Sequence, residues 1–366
     1  MRLLLTATSL RPSYGGPAYS VSQLAMALAS SGVEVGLWAA DGSAADTELI
    51  PPRTKVRRLA GVLADAARVF APELIHDNGL WLPHNHRVAA LSREIGVPRL
   101  VSTRGMLEPW AIRHKGVKKK IAWGLYQRRD LERASALHAT ADTEAQNLAA
   151  FGLGVPTVTI PNGVDLPDIS TTRPAAAGAT RTALFLGRLY PVKGLPMLIE
   201  AWARVRPPAW RLLIAGPDEA SHQAVLEAAV AAHGLGDVVS FVGPVDGEAK
   251  AARLRDADFL VLPSHSESFG MVVAEALAHG APVLTTTAVP WPALDQRGCG
   301  WRCAPTPDAI AEALHEATGH DAATLRAMGA AGRAFVAETL GWDSIAARFT
   351  ALYQRLARAP ANEAAA

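Results

Sequence analysis

Cysteine is almost missing from this chain of 366 residues, with Cys299 and Cys303 the only two. Two are too few for a disulfide framework or a structural zinc site, and pairing with each other is the one bridge open to them. A reducing cytoplasm is the expected compartment. Charge of one sign is missing too: 36 Lys and Arg against 34 Asp and Glu leave a formal net charge of +2. No global field therefore points to nucleic acid, and any basic partner surface has to be local. No uncharged apolar stretch reaches the ~18 residues that would cross a bilayer. Met1 to Leu10 holds a short apolar run, but Arg11-Pro12 interrupts it and no small-residue cleavage site follows, so it reads as a first strand. Neither Gly-x-Gly-x-x-Gly nor Gly-x-x-x-x-Gly-Lys-[Ser/Thr] occurs, so dinucleotide and P-loop readings lack their fingerprints. No fixed-period repeat is found.

What is present is apolar residues at 49% against 19% charged, enough to bury a core. The length gives a prior of about two domains. Short apolar runs alternate with stretches of helical period, the pattern of βα units around parallel sheets. Strands are expected near Leu3–Thr6, Val33–Trp38, Leu74–His76, Leu100–Ser102, Ala136–Ala139 and Val158–Pro161, with a helix over Tyr19–Ser30 ended at Gly32. Residues Asp165–Arg181, DLPDISTTRPAAAGATR, have Pro and Gly punctuation and little periodicity, and read as a linker. The series restarts with strands Ala183–Leu186, Arg211–Ala215, Val238–Val242, Asp258–Leu262 and Pro282–Thr285. Long helices follow over Asp321–Thr339 and Asp343–Ala359. The expected domains are 1–170, 171–340 and a terminal helix, 341–366, crossing back to the first. In open α/β sheets ligands bind beyond the carboxyl ends of the strands, so two such sheets facing each other would make a cleft.

Three loop segments carry candidate chemistry. The first is SHSESFGMVVAEALAHG at Ser264–Gly280, directly after FLVLP. Glu267 and Glu275 lie eight positions apart; at about 100° per residue they differ by about 80° and need not share a helix face. Glu267, in the loop, suits hydrogen bonds from sugar hydroxyls, and Glu275, in the helix, suits the two hydroxyls of a ribose. Between them Ser268 leads to the backbone N–H groups of Phe269, Gly270 and Met271, a helix N-terminus fit for a pyrophosphate. A solvated Glu and a plain cap fit the same residues. The second is GRLYPVKG at Gly187–Gly194, where Arg188 and Lys193 can reach one phosphate and neutralise charge growing on a leaving diphosphate; an ordinary basic loop is the bland alternative. The third is YGGP at Tyr14–Pro17, where Gly15 and Gly16 permit backbone approach to a phosphate, or make a plain tight turn.

In this order, over nearly the whole chain, these segments resemble the retaining nucleotide-sugar glycosyltransferases of family four. The Glu, seven residues, Glu element followed by GAPVLTT is the most specific part, and IPNGVD at Ile160–Asp165 and AGPD at Ala215–Asp218 add to it. The resemblance implies the GT-B fold: α/β, two Rossmann-like doubly wound parallel-sheet domains facing across a cleft, the first for the acceptor and the second for the nucleotide-sugar donor. It implies that Arg188 and Lys193 hold the donor phosphates, Glu275 the ribose, Glu267 the donor sugar and Gly16 the distal phosphate, with Gly243–Val245 near the base. One departure stands out. Family members often carry a His in a Thr-x-His setting, and here VSTRGM at Val101–Met106 puts Arg104 in its place. Arg cannot act as a base at working pH; it can bind a phosphate or an acceptor oxygen, or form a structural ion pair. His76, in IHDNG, ends a strand and is a second candidate for the cleft, with a core histidine satisfied by neighbours as the alternative. Resemblance to enzymes with an RGMLEPW segment implies bacterial exopolysaccharide or O-antigen assembly, and the family resemblance implies a hexose-type sugar as the group moved.

No metal and no organic cofactor are expected; Asp256-Ala257-Asp258 has the spacing of a metal motif but falls at a helix end, where a capping or turning role fits better. The expected partners are a nucleotide-sugar donor and a glycan or polyprenyl-diphosphate-linked acceptor. Arg113–Arg133, RHKGVKKKIAWGLYQRRDLER, has eight Lys or Arg against two acids with apolar residues interleaved, and suits either an anionic membrane surface or water. That adds the inner face of the cell membrane as a second expected location. Rival functions are a sugar-nucleotide 2-epimerase and a sugar-nucleotide-binding subunit without catalysis.

Overall fold

A computed structural model describes residues 1–113, 116–168 and 180–358. The chain forms two compact units, one of Met1–Gly163 with Trp342–Ala366 and one of Val164–Gly341. In the first, β1 (Arg2–Ala7), β2 (Glu34–Ala39), β3 (Arg57–Leu59), β4 (Leu74–Asn78), β5 (Arg99–Ser102), β6 (Ala136–Ala139) and β7 (Thr157–Thr159) make a seven-stranded sheet in the order β3-β2-β1-β4-β5-β6-β7. In the second, β8 (Arg181–Leu186), β9 (Trp210–Ala215), β10 (Val239–Gly243), β11 (Phe259–Leu262), β12 (Val283–Thr286) and β13 (Gly300–Cys303) make a six-stranded sheet in the order β10-β9-β8-β11-β12-β13. Every pairing is parallel; Leu3, for example, lies between Val35 and Leu74, and Ala183 between Leu212 and Phe259. Strands buried on both faces read as unbroken apolar runs, which is why β1 and β8 were legible as LLL and ALFL. Each of Leu3, Leu4 and Leu5 is fully buried, worth about 1.5–3 kcal/mol apiece in apolar area removed from water.

In both sheets the chain steps outward on one side of a central strand and then returns to build the other side. The two switch points fall between β1 and β4 and between β8 and β11. They are where ligands of open α/β sheets bind.

Two edge strands escape a sequence reading. β3 is three residues, Arg-Arg-Leu, and β13 is four, Gly-Trp-Arg-Cys; neither has an apolar run. The first helix opens at Gly16 rather than Tyr19, because Pro17 in its first turn needs no N–H partner. Of the expected linker, residues 169–179 lie outside the described residues, as does Ala359 at the expected end of the last helix. That helix, Trp342–Arg358, belongs to the first unit, where Ile345, Ala346, Phe349, Leu352 and Tyr353 join the core beside Leu3, Leu24 and Leu28. Cys299 and Cys303 are not bridged; both are free thiols, pushed up to about 11 by burial. Asp258 accepts a hydrogen bond from the Thr182 amide at 2.7 Å and lies 3.6 Å from Arg181, tying β11 to β8.

Candidate active site

In the second unit, the loops after β8, β9 and β11 are laced together by backbone hydrogen bonds. The Leu189 amide donates to the Pro217 carbonyl at 2.9 Å, the Glu219 amide to Leu189 at 3.2 Å, and the His265 amide to Val192 at 2.8 Å. Side chains are excluded where these loops cross. A Cβ on Gly216 (φ +145°) would sit 1.8 Å from the Gly187 carbonyl oxygen, and one on Gly194 (φ +68°) 2.1 Å from that of Pro263. Gly216→Ala is therefore expected to cost about 3 kcal/mol or more through strain and backbone displacement. Chemical denaturation measures this, and a variant within about 1 kcal/mol of the parent (~fivefold or less) would show that the crossing yields easily.

This lacing brings the Lys193 ammonium onto Glu267 Oε1 at 2.5 Å, with the two side chains only 15% and 14% exposed. Lys193 closes a short 3-10 turn, Pro191–Lys193, and Glu267 stands in the loop after β11. Ser264 Oγ donates to the same carboxylate oxygen at 2.9 Å, and Thr286 Oγ1 holds the Ser264 carbonyl at 2.6 Å. The pair lies at the β8–β11 switch point.

The other candidates have different partners. Arg188 is exposed and pairs with Glu219 at 2.5 Å, so the two cations of GRLYPVKG do not share a carboxylate. Glu275 sits on the helix Met271–Ala278 and accepts from Lys250 at 2.6 Å, a residue of the helix Gly247–Asp256. Gly270 starts the Glu275 helix in a left-handed conformation. Phe269 before it is buried against Trp291, whose indole N–H donates to the Phe269 carbonyl at 2.5 Å. The Met271 and Val272 amides at the start of this helix have no intrahelical acceptor, while that of Val273 donates to the Gly270 carbonyl at 2.9 Å. Ser268 is in the same loop. Val245 follows β10 and packs, half-buried, against the core. The loop ends of β9 and β10 are joined by the Gly216 amide donating to Gly243 at 2.8 Å.

In the first unit, a pocket at the β1–β4 switch point is lined by Thr8, Ser9, Tyr14, Asn78, Gly79 and Arg104. Gly15 and Gly16 open the helix Gly16–Ser30 at its rim, with no acidic residue in the first turn. Arg104 holds a left-handed backbone, φ +52°. Glu144 fixes the turn from both sides, accepting from Thr103 Oγ1 and the Gly105 amide at 2.6 Å each, while its other oxygen takes the amide and hydroxyl of Thr140. The guanidinium donates to Asn78 Oδ1 at 2.7 Å, Ser20 Oγ at 2.9 Å and Asn162 Oδ1 at 3.0 Å. No ion pair joins it to a carboxylate among the described residues, so the ion-pair reading of this residue is corrected. Burial lowers its pKa to about 10, against the opposing pull of Glu144 and Tyr353, and it stays a cation at neutral pH.

His76 does not face an opening; it is fully buried. Tyr353 Oη lies 2.7 Å from its Nδ1 and Ser102 Oγ 2.6 Å from its Nε2; Ser102 Oγ is also 2.6 Å from His138 Nδ1, and His138 Nε2 is 2.7 Å from the Ile160 carbonyl. The carbonyl can only accept, so the protons are fixed along the chain. His138 donates from Nε2, Ser102 donates to His138, His76 donates from Nε2 to Ser102, and Tyr353 donates to His76. Both imidazoles are neutral. Burial holds His76 well below the ordinary value and His138 down to about 4, with nearby cationic charge acting the same way. NMR between pH 8 and pH 5.5 is expected to show neither ring titrating and both as Nε2–H tautomers. A midpoint near 6.5 for either ring would refute the network.

Sequence reasoning missed Lys250, Glu219, Ser264, Asn78 and Ser20 as partners. Asn162, inside IPNGVD, Asn78, inside IHDNG, and Ser264, at the head of SHSESFG, stand in segments the sequence marks out, whereas Lys250, Glu219 and Ser20 do not.

Comparison with known proteins supplies the family context. Residues 15–163 match the family model described as Glycosyl transferase 4-like domain, and residues 180–320 that described as Glycosyl transferases group 1. The chain is 30% identical over 319 residues to the D-inositol 3-phosphate glycosyltransferase of Actinosynnema mirum, covering 74% of this chain and 75% of that protein. It is 31% identical over 263 residues to the phosphatidyl-myo-inositol mannosyltransferase of Mycobacterium leprae, covering 69% and 63%. Among solved structures, sucrose-phosphate synthase from Thermosynechococcus elongatus superposes with a TM-score of 0.79 at 24% identity, over 97% of this chain and 99% of that one. Anabaena HepE, solved with UDP and glucose, does so with 0.75 at 20% identity, over 97% and 100%.

Proposed function

The chain belongs to the glycosyltransferases of family four, with their GT-B fold, and from that premise we propose a retaining enzyme that moves a hexose from a nucleotide diphosphate sugar to a glycan or lipid-linked acceptor. The donor is assigned to the second unit and the acceptor to the first. The observation that carries the reading is the Lys193–Glu267 pair at the β8–β11 switch point, a cation and a hydroxyl acceptor side by side with little water around them. In such surroundings a fixed charge acts more strongly on a developing one than it would in water.

The chemistry proposed is substitution on one face of the sugar. The bond from the anomeric carbon to the β-phosphate oxygen breaks, the acceptor oxygen bonds to that carbon on the same face, and its proton passes to the leaving phosphate. Lys193 and Arg188 neutralise the charge that grows there, with the amides around Phe269, Gly270 and Met271. Glu267 orients the sugar, Glu275 takes the ribose, Val245 borders the base, and Gly15 and Gly16 let the distal phosphate approach. No metal or organic cofactor enters this scheme. Arg104, a cation that meets no carboxylate among the described residues, favours an acceptor that carries phosphate, such as a polyprenyl diphosphate glycan in exopolysaccharide or O-antigen assembly.

Thermal-shift titration with UDP, GDP, dTDP and ADP tests the donor half. One nucleotide is expected to stabilise the fold, by about 2.7 kcal/mol at a hundred times its Kd. Absence of any shift would remove the reading. Product analysis then separates the rivals: transfer with the donor's anomeric configuration kept supports it, and an epimerised sugar formed from donor alone points to an epimerase.

A further inference from the structure

In the basic segment 113–133, residues 114 and 115 lie outside the described residues. Beyond them the chain runs as helix Gly116–Ala122, a wide π-type turn Trp123–Gln127 and helix Arg128–Glu132. The joints at Ala122, Gln127 and Arg128 all keep right-handed helical backbone angles, so this is one unbroken helix. Its inner face is anchored. Trp123 packs on Trp81 and Phe151, Gln127 accepts from the Trp81 amide at 2.7 Å, and Asp130 and Leu131 are buried.

Its outer face is apolar and uncovered. Val117 is 75% exposed, Ile121 58% and Leu125 74%. In an α-helix residues four apart drift by about 40°, so a third member of the row would begin to wander off the face. The wide turn takes one more residue per hydrogen-bonded ring, so the step from Ile121 to Leu125 comes closer to a full circle and the drift is cancelled. The three side chains thus form a straight stripe. Lys118 stands about 100° to one side of Val117 and Lys120 about 100° to the other side of Ile121, both exposed, and exposed Arg129 continues the row one turn beyond Leu125. Lys119 alone turns inward, over the Trp81 ring and onto the Ala111 carbonyl.

We propose that this stripe lies in the plane of an anionic lipid surface, with Val117, Ile121 and Leu125 at the acyl boundary and Lys118, Lys120 and Arg129 among the headgroup phosphates. A narrow apolar row edged by cations on both sides matches that chemistry. The whole chain carries a net charge of only +2, so the attraction is local to this helix. The inference goes beyond the transferase reading and does not depend on it.

The test is co-sedimentation of the full chain with vesicles of phosphatidylcholine alone and of phosphatidylcholine mixed with an equal amount of phosphatidylglycerol. Binding is expected to the mixed vesicles and to fall with salt. Lys118→Gln with Lys120→Gln is expected to weaken it about 30-fold, some fivefold for each cation removed. Ile121→Ser with Leu125→Ser is expected to weaken it about tenfold or more by removing inserted apolar area. All four positions are exposed and outside the proposed site, so both variants keep the parent's melting temperature and its nucleotide-induced shift. Equal binding to both vesicles, binding to neither, or variants that bind like the parent would each overturn the proposal. So would a dimer in light scattering that the Ser variant abolishes, since the stripe would then belong to a second copy. A chain that binds the mixed vesicles but shows no nucleotide shift sinks the transferase reading and leaves this one standing.

Discussion

Lys193→Ala is expected to lower kcat a hundred- to a thousandfold at saturating donor, since one well-placed charge donor to a developing anion is worth about 3–4 kcal/mol. The magnitude follows from where the ammonium sits. Its side chain is 15% exposed and already ordered against Glu267, so no reorganisation is needed when charge appears on the leaving phosphate. The same burial has a structural side effect. Removing one partner leaves the Glu267 carboxylate with Ser264 as its remaining hydrogen-bond donor among the described residues, and losing half of a buried pair costs about 3–5 kcal/mol of stability. Steady-state kinetics should therefore be read beside a melting curve. Lys193→Met with Glu267→Gln removes both charges and is the control for folding. A Lys193→Ala enzyme that is folded and turns over within about threefold of the parent would take Lys193 out of the chemistry.

The second large effect is expected far from that pair, at the final helix. Phe349→Ala with Tyr353→Ala should destabilise the first unit by about 6 kcal/mol or more, since each large-to-small change at a fully buried aromatic costs roughly 3–5 kcal/mol. Both rings are packed beneath the sheet with His76, and Tyr353 also supplies the proton that satisfies His76 Nδ1. A loss of that size is comparable with the whole stability of an ordinary domain, about 5–15 kcal/mol. Hydrogen exchange locates it. Amides of β1 and β4 should lose protection while those of β8 and β11 keep theirs, and uniform loss across all four strands would show that the two units do not unfold separately. Tyr353→Phe isolates the hydrogen bond, with an expected cost of about 1–3 kcal/mol for the unsatisfied His76 nitrogen.

Sequence patterning reaches the strands and the loops after them, because a parallel strand buried on both faces has to be an unbroken apolar run and the residues that follow it are already at the ligand end of the sheet. FLVLP, ALFLG and the segments behind them stand out on that ground, Lys193 and Glu267 among them, although the contact between the two leaves no mark in the sequence. Pairing across elements is a different matter. Lys250 lies in AKAARLRD, where nothing distinguishes it from its neighbours; its tie to Glu275 is set by how two helices lie on one sheet. The same holds for Glu219 and Arg188, which meet because the loops after β8 and β9 are laced together. His76 looked like an accessible strand-end residue, and what hides it is a helix 277 positions later in the chain. The wide turn at Trp123–Gln127 leaves no mark in a periodicity taken at one fixed angle, although it straightens the apolar stripe.

The order in which the parts are made bears on how the chain reaches this state. The first unit is left at Gly163 and rejoined only at Trp342, and the stretch between them starts and finishes with adjacent residues, Val164 bridged to Gly341. During synthesis the strands that hold His76, Ser102 and His138 emerge before the inserted unit, and the helix that covers them emerges only after it. The inserted unit is complete before then, so it is free to fold while the earlier-made sheet still waits with its histidines wet and able to take up protons. Closing of the late helix is the step that dries them.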